Sequence, residues 1–128
     1  VEVSISPAPT AEITVAYSLA GSAYEDTDFS ITSLGTVTVP ANTGRVTIPV
    51  VVIDDNAVEA DETVIILLDS DTSYMVDSSA NEHILTIEDN DNAPTVVNRI
   101  PDQTAMAGTD FEYAFPENTF NDADDDDL

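Results

Sequence analysis

The chain is expected to fold as an all-β, antiparallel immunoglobulin-like β-sandwich, with part of a second β-module behind it. Three observations predict this. Apolar and polar residues alternate at a period of two in several short runs, and no run keeps a helical period beyond one turn. Val, Ile and Thr dominate those runs, as suits a pleated, half-buried surface. Clusters of Pro, Gly, Asn and Asp separate them at intervals that fit Greek-key connections.

The elements follow in order. Val1, Val3 and Ile5 alternate with polar residues until Pro7-Ala8-Pro9 breaks the strand. Ile13, Val15 and Tyr17 mark a second strand. Val37 and Val39 lead into Pro40-Ala41-Asn42-Thr43-Gly44, and Val46, Ile48, Val50 and Val52 lead out, which predicts a hairpin. Residues 64–68 are apolar throughout, the mark of a strand buried on both sides or of a short central one. Ile84-Leu85-Thr86-Ile87 supplies the last strand of a first domain over residues 1–92. At Asp89-Asn90-Asp91-Asn92-Ala93-Pro94 the composition turns into that of a linker. Residues 93–128 hold this linker's end and two strand candidates, 95–98 and 111–115, before the acidic run at 122–127. So short a stretch cannot close a sandwich core alone, so it is expected to be the truncated start of a second β-domain. The chain opens directly on a strand rather than a signal peptide and reads as a piece of a longer protein.

Composition removes several functions. Twenty-six acidic side chains stand against two basic ones, Arg45 and Arg99, for a net charge of −24. Such a chain has no basic footprint for nucleic acid and no attraction to an anionic membrane surface. No apolar stretch reaches the length of a membrane span. Disorder, the usual companion of high charge, is excluded for most of the length by a 42% hydrophobic content set in periodic runs. Cys is absent, which removes disulfides, thiol chemistry and thiolate-bound zinc. His83 is the only histidine, and Ser78-Ser79 nearby has no third group or oxyanion hole to make a triad. With no Trp and four Tyr, the chain has few of the aromatic platforms that a sugar-cleaving cleft presents. An enzyme is not expected.

What remains is the distribution of the carboxylates. Residues 54–62 read Asp54-Asp55-Asn56-Ala57-Val58-Glu59-Ala60-Asp61-Glu62, five carboxylates in nine positions between two apolar runs. Two further clusters, Glu25-Asp26-Thr27-Asp28 and Glu88-Asp89-Asn90-Asp91, also fall at strand boundaries. Like charges packed at strand ends are costly unless a cation neutralises them. An oxygen-only ligand set suits a hard divalent ion, above all Ca²⁺. Calcium takes six to eight oxygens, more than one short loop supplies, so the clusters are expected to converge at one end of the sandwich. Acidity serving only solubility is the competing account. It explains the missing Lys but not the concentration of carboxylates in loops.

At these residues the chain resembles the Calx-β family of calcium-binding β-sandwiches. The matching pieces are Val15-Ala16-Tyr17-Ser18, Thr27-Asp28-Phe29, Gly35-Thr36-Val37-Thr38-Val39, Ile53-Asp54-Asp55-Asn56, Glu59-Ala60-Asp61-Glu62-Thr63 and Leu85-Thr86-Ile87-Glu88-Asp89-Asn90-Asp91. The resemblance implies calcium ligands at Asp28, Asp54 and Asp55, at the backbone carbonyl of Ala57, at Glu59 and Glu62, and at Asp89, Asn90 and Asp91. The chain departs from the family at Asn90, which keeps an oxygen but loses a charge. It also begins after the family's first strand, whose Glu-Gly pair supplies another ligand. An open sheet edge is therefore expected, compensated by residues 95–115 folding back or by strand exchange between chains.

The stretch 88–94 is similar to the calcium linker of cadherin repeats. Ile100-Pro101-Asp102-Gln103-Thr104, Phe111-Glu112-Tyr113 and Phe120-Asn121-Asp122-Ala123-Asp124 resemble the start of a cadherin-like, dystroglycan-type module of large bacterial surface proteins. The resemblances imply a calcium-dependent structural or adhesion module at the cell surface or secreted, with neighbouring domains of the same chain as partners. A carbohydrate-binding module with a polysaccharide ligand, or a calcium-sensing regulatory domain as in sodium–calcium exchangers, are the alternatives.

Overall fold

The structure, a computed structural model, describes residues 1–33 and 35–124. Positions 125–127 of the acidic run lie outside the described residues. In chain order the strands are β1 (Glu2–Ser4), β2 (Ile13–Gly21), β3 (Phe29–Ile31), β4 (Thr36–Val39), β5 (Arg45–Thr47), β6 (Val50–Val52), β7 (Glu62–Leu68), β8 (Glu82–Ile87), β9 (Thr95–Val96) and β10 (Phe120–Asn121). The fold is all-β and its strand pairs are antiparallel, as the alternating sequence predicts. The chain forms two compact units: Val1–Asp55 with Ala60–Asp89, and Asn56–Glu59 with the residues from Asn90 onward.

The first unit contains a four-stranded sheet in the order β4-β2-β7-β8 and two strand pairs, β1-β5 and β3-β6. Period-two burial builds its core. Val37 and Val39 of β4 point inward while Thr36 and Thr38 face out, and Val15 and Tyr17 do the same on β2. These join Val3, Phe29, Ile31, Ile48, Val64 and Ile66 in one buried cluster. The Tyr17 hydroxyl donates to the Ser33 carbonyl, and burial pushes its pKa up. Tyr74 ties the loop after β7 to β2. Its hydroxyl accepts the Ala16 N–H and donates to the Asp69 carbonyl, both at 2.9 Å. β7 is the central strand, between β2 and β8. Its Val64 and Ile66 are buried and its other side chains half-buried, so it takes the second of the two expected forms.

The hairpin expected across 37–52 does not form. β4 pairs with β2, and β5 pairs with β1, so the 40–44 turn carries the chain between sheets. Asn42 adopts the left-handed conformation there, φ 60°, and its N–H donates to the Pro9 carbonyl at 2.7 Å. The return run is also two strands rather than one. Pro49 offers no N–H to a ladder. It stands between β5 and β6, which pair with β1 and β3 respectively. Ile48 at this crossover is fully buried.

In the second unit, β9 pairs with β10. The strand candidate 111–115 is not a strand, and Phe111 and Phe115 are more than half exposed. Its aromatics make edge-to-face contacts instead, Tyr113 with Phe115 at 5.7 Å and Phe115 with Phe120 at 6.0 Å between ring centres. Among the described residues of this unit, Thr119 and Asp122 are the buried polar ones. The Asn92 backbone N–H donates to Asp124 Oδ2 at 2.6 Å.

Candidate metal centre

Asp28 is placed by a tight turn that its own carboxylate helps to hold. Asp26 has a positive φ of 67°, which reverses the chain between Tyr24 and Phe29. The Asp28 N–H donates to the Tyr24 carbonyl at 2.9 Å, and the Tyr24 N–H donates back to Asp28 Oδ2 at 2.5 Å. The turn drives the Asp28 side chain inward, leaving the residue 8% exposed. The Ile53 N–H donates to the Asp28 carbonyl at 2.9 Å, so the start of β3 is fastened to the end of β6. Asp54 and Asp55 follow that end directly.

Glu62 opens β7 and lies opposite Ile87 in the register with β8. It is half-buried, whereas Glu59 is exposed. One carboxylate oxygen from each of Asp28, Glu59 and Glu62 lies within 4.8 Å of the others, an arrangement able to hold a metal ion. Three carboxylates at that separation repel one another, and a buried carboxylate is costly to keep charged without compensation. The chain has no Lys, and its two arginines pair elsewhere, Arg45 with Glu2 at 3.5 Å and Arg99 with Asp102 at 3.4 Å. Hard oxygen donors of this type match calcium or magnesium rather than a soft or imidazole-seeking metal.

Three of the nine expected ligands thus come together: Asp28, Glu59 and Glu62. Asp54 and Asp55 are exposed in the loop after β6, and Ala57 is exposed as well. Asp89, at the end of β8, is half-buried, and its N–H approaches Asp61 Oδ1 at 3.4 Å. That contact brings the end of β8 to the 54–62 loop. Asn90 is exposed and Asp91 half-buried. Asp61 was not among the expected ligands, although it lies in the same acidic run. Its role in joining two loops depends on the β7–β8 register, which no local pattern reveals. The burial of Asp28 was equally hidden, because it arises from the left-handed Asp26.

Comparison of the chain with known protein families, curated proteins and solved structures finds no match.

Proposed function

We propose that the chain is a calcium-binding structural module of a cell-surface or secreted protein. The observation that carries this reading is the convergence of Asp28, Glu59 and Glu62 from separate parts of the chain. Calcium shared by these carboxylates removes their mutual repulsion and orders the loop between β6 and β7. Oxygens from the neighbouring acidic loops and water complete the six to eight that calcium takes. The ordered loop then stiffens the module within a longer chain, in the service of adhesion or display. Neighbouring domains are its partners, and catalysis has no part in it.

Extracellular calcium modules bind with Kd of about 10⁻⁴ to 10⁻³ M. At tenfold excess over Kd, a ligand that binds only the folded state adds about 1.4 kcal/mol of stability. For a domain of this size that is a rise of roughly 5 °C in melting temperature. Thermal melts with calcium, with magnesium and with monovalent salt at matched ionic strength test the reading. A rise specific to calcium is expected. The same shift in all three salts would reduce the acidity to general charge screening.

A further inference from the structure

A cleft of about 620 Å³ opens in the first unit beside β1. Val1, Val3 and Ile5 from the β1 stretch, Ile66 and Leu68 of β7, and Val76 from the loop after β7 supply its apolar lining. Its volume lies in the range of pockets that enclose a bound ligand. Two strands at sheet margins contribute to it. Among the described residues, β1 pairs only with β5 and β8 only with β7, so each leaves one backbone edge without a strand partner. Residues 1–6 line the cleft on the β1 side, and Glu82 and His83 line it at the start of β8. An open edge beside a cleft lined by both apolar and polar side chains is an arrangement that accepts an added strand: main-chain hydrogen bonds hold it, and alternate side chains enter the cleft.

The charge of the rim selects the occupant. Glu2, Asp77 and Glu82 line the cleft together with His83 and the Val1 ammonium, and no Lys or Arg does, so carboxylates are in excess. The Glu2–Arg45 pair is long and solvent-exposed, and so neutralises Glu2 only weakly. The Asp77 carboxylate accepts hydrogen bonds from the Ser79 N–H at 2.9 Å and hydroxyl at 2.7 Å, which fix its position at the rim. A second copy, itself carrying −24, is repelled from such a rim. Met75 adds an adaptable apolar flap: it lines the cleft, yet its side chain is almost wholly exposed, 97%.

We propose that this cleft binds an extended peptide segment of another protein, with apolar residues alternating with Lys or Arg. The apolar side chains enter between β1 and β7, the backbone pairs with a free strand edge, and the basic side chains meet Glu2, Asp77 and Glu82. The six residues of β8 span about 20 Å, enough to pair with a strand of similar length.

The test uses the intact chain and a synthetic Lys-Val-Lys-Val-Lys-Val-Lys peptide, followed by fluorescence anisotropy and by hydrogen exchange. Saturable binding with slowed exchange of the β1 or β8 amides is expected. Replacing each Val by Thr, or each Lys by Glu, is expected to weaken binding by about tenfold or more. Glu82→Arg and Met75→Glu alter exposed side chains without touching the core, and each is expected to weaken it by several-fold. Equal binding of the Lys-Thr peptide, or binding that leaves β1 and β8 exchange unchanged, would show only attraction to an acidic surface and overturn the proposal. So would protection of the same amides by concentration-dependent self-association in the absence of peptide, which would assign the cleft to a second copy.

Discussion

Two residues show how much of this molecule turns on single positions. Asp28 spends one carboxylate oxygen on the Tyr24 N–H, and contributes an oxygen to the group formed with Glu59 and Glu62. Asp28→Asn retains a carbonyl acceptor for the turn while removing the charge. The expected outcome is a melting temperature without calcium equal to or above that of the parent, with the calcium-induced rise cut by about half or more. Calorimetry with and without calcium checks it, and an undiminished rise would remove Asp28 from the site. Gly21 is the second case. It ends β2 with φ 116°, and a methyl group there would lie 2.0 Å from the Thr63 carbonyl oxygen on β7. Both the conformation and the space exclude a side chain. Gly21→Ala is therefore expected to cost at least about 2 kcal/mol in urea unfolding. The sequence displays Gly21 as an ordinary glycine. Only the register of β2 against β7, Gly21 opposite Val64, reveals what it is for.

At the scale of elements, period-two alternation locates β2 and β4 because each shows one face to the core, and the unbroken apolar run at 64–68 locates β7. It is silent about partners. Residues 37–52 carry the alternation and turn of a hairpin, yet the turn at 40–44 serves a sheet crossover and Pro49 divides the return strand. The 111–115 run alternates aromatic and other residues and is still not a strand. Alternation is a condition for a half-buried strand, and pairing requires an available edge as well. The second crossover, at Ile48-Pro49 between β5 and β6, is predicted to be a weak point. Ile48 is fully buried there, and its N–H donates to the Val1 carbonyl at 2.8 Å. Ile48→Ala is expected to cost about 2 to 5 kcal/mol, since neighbours from separate sheets cannot collapse together onto the cavity. Val51→Ala on β6, where the residue is 57% exposed, is expected to stay within about 0.5 kcal/mol. Urea titrations of the two variants compare them directly. Similar losses would show that the crossover is no special support of the core.

For the whole molecule, charge is the controlling quantity. A net charge of −24 makes the folded chain repel itself, the more so at low ionic strength, where the Debye length reaches about 30 Å at 0.01 M. Lowering the pH from neutrality towards the pI of about 4.1 protonates carboxylates and relieves that repulsion. Without calcium, stability is therefore expected to rise as the solution becomes mildly acidic. A second effect then opposes the first. Hydrogen bonds from Ser73 and Ser79 hold the Asp71 and Asp77 carboxyls below the ordinary aspartate range. A carboxyl lowered by folding stabilises the native state fully above its unfolded pKa of about 3.9, and that contribution fades as the pH falls through the lower, folded value. The loop holding both residues is thus expected to loosen only below about pH 4, after the global repulsion has been relieved. On the calcium-binding function proposed above, the cation supplies at neutral pH the neutralisation that protons supply in acid, so its stabilising effect is expected to shrink steadily as the pH falls and the carboxylates protonate. Thermal melts across pH 3 to 8 in chelator and in millimolar calcium display both trends. The two curves are expected to lie apart at neutral pH and to meet in acid. A calcium effect that persists undiminished at pH 4, or a stability without calcium that falls steadily from pH 7 downwards, would mean that carboxylate repulsion is not what the cation relieves.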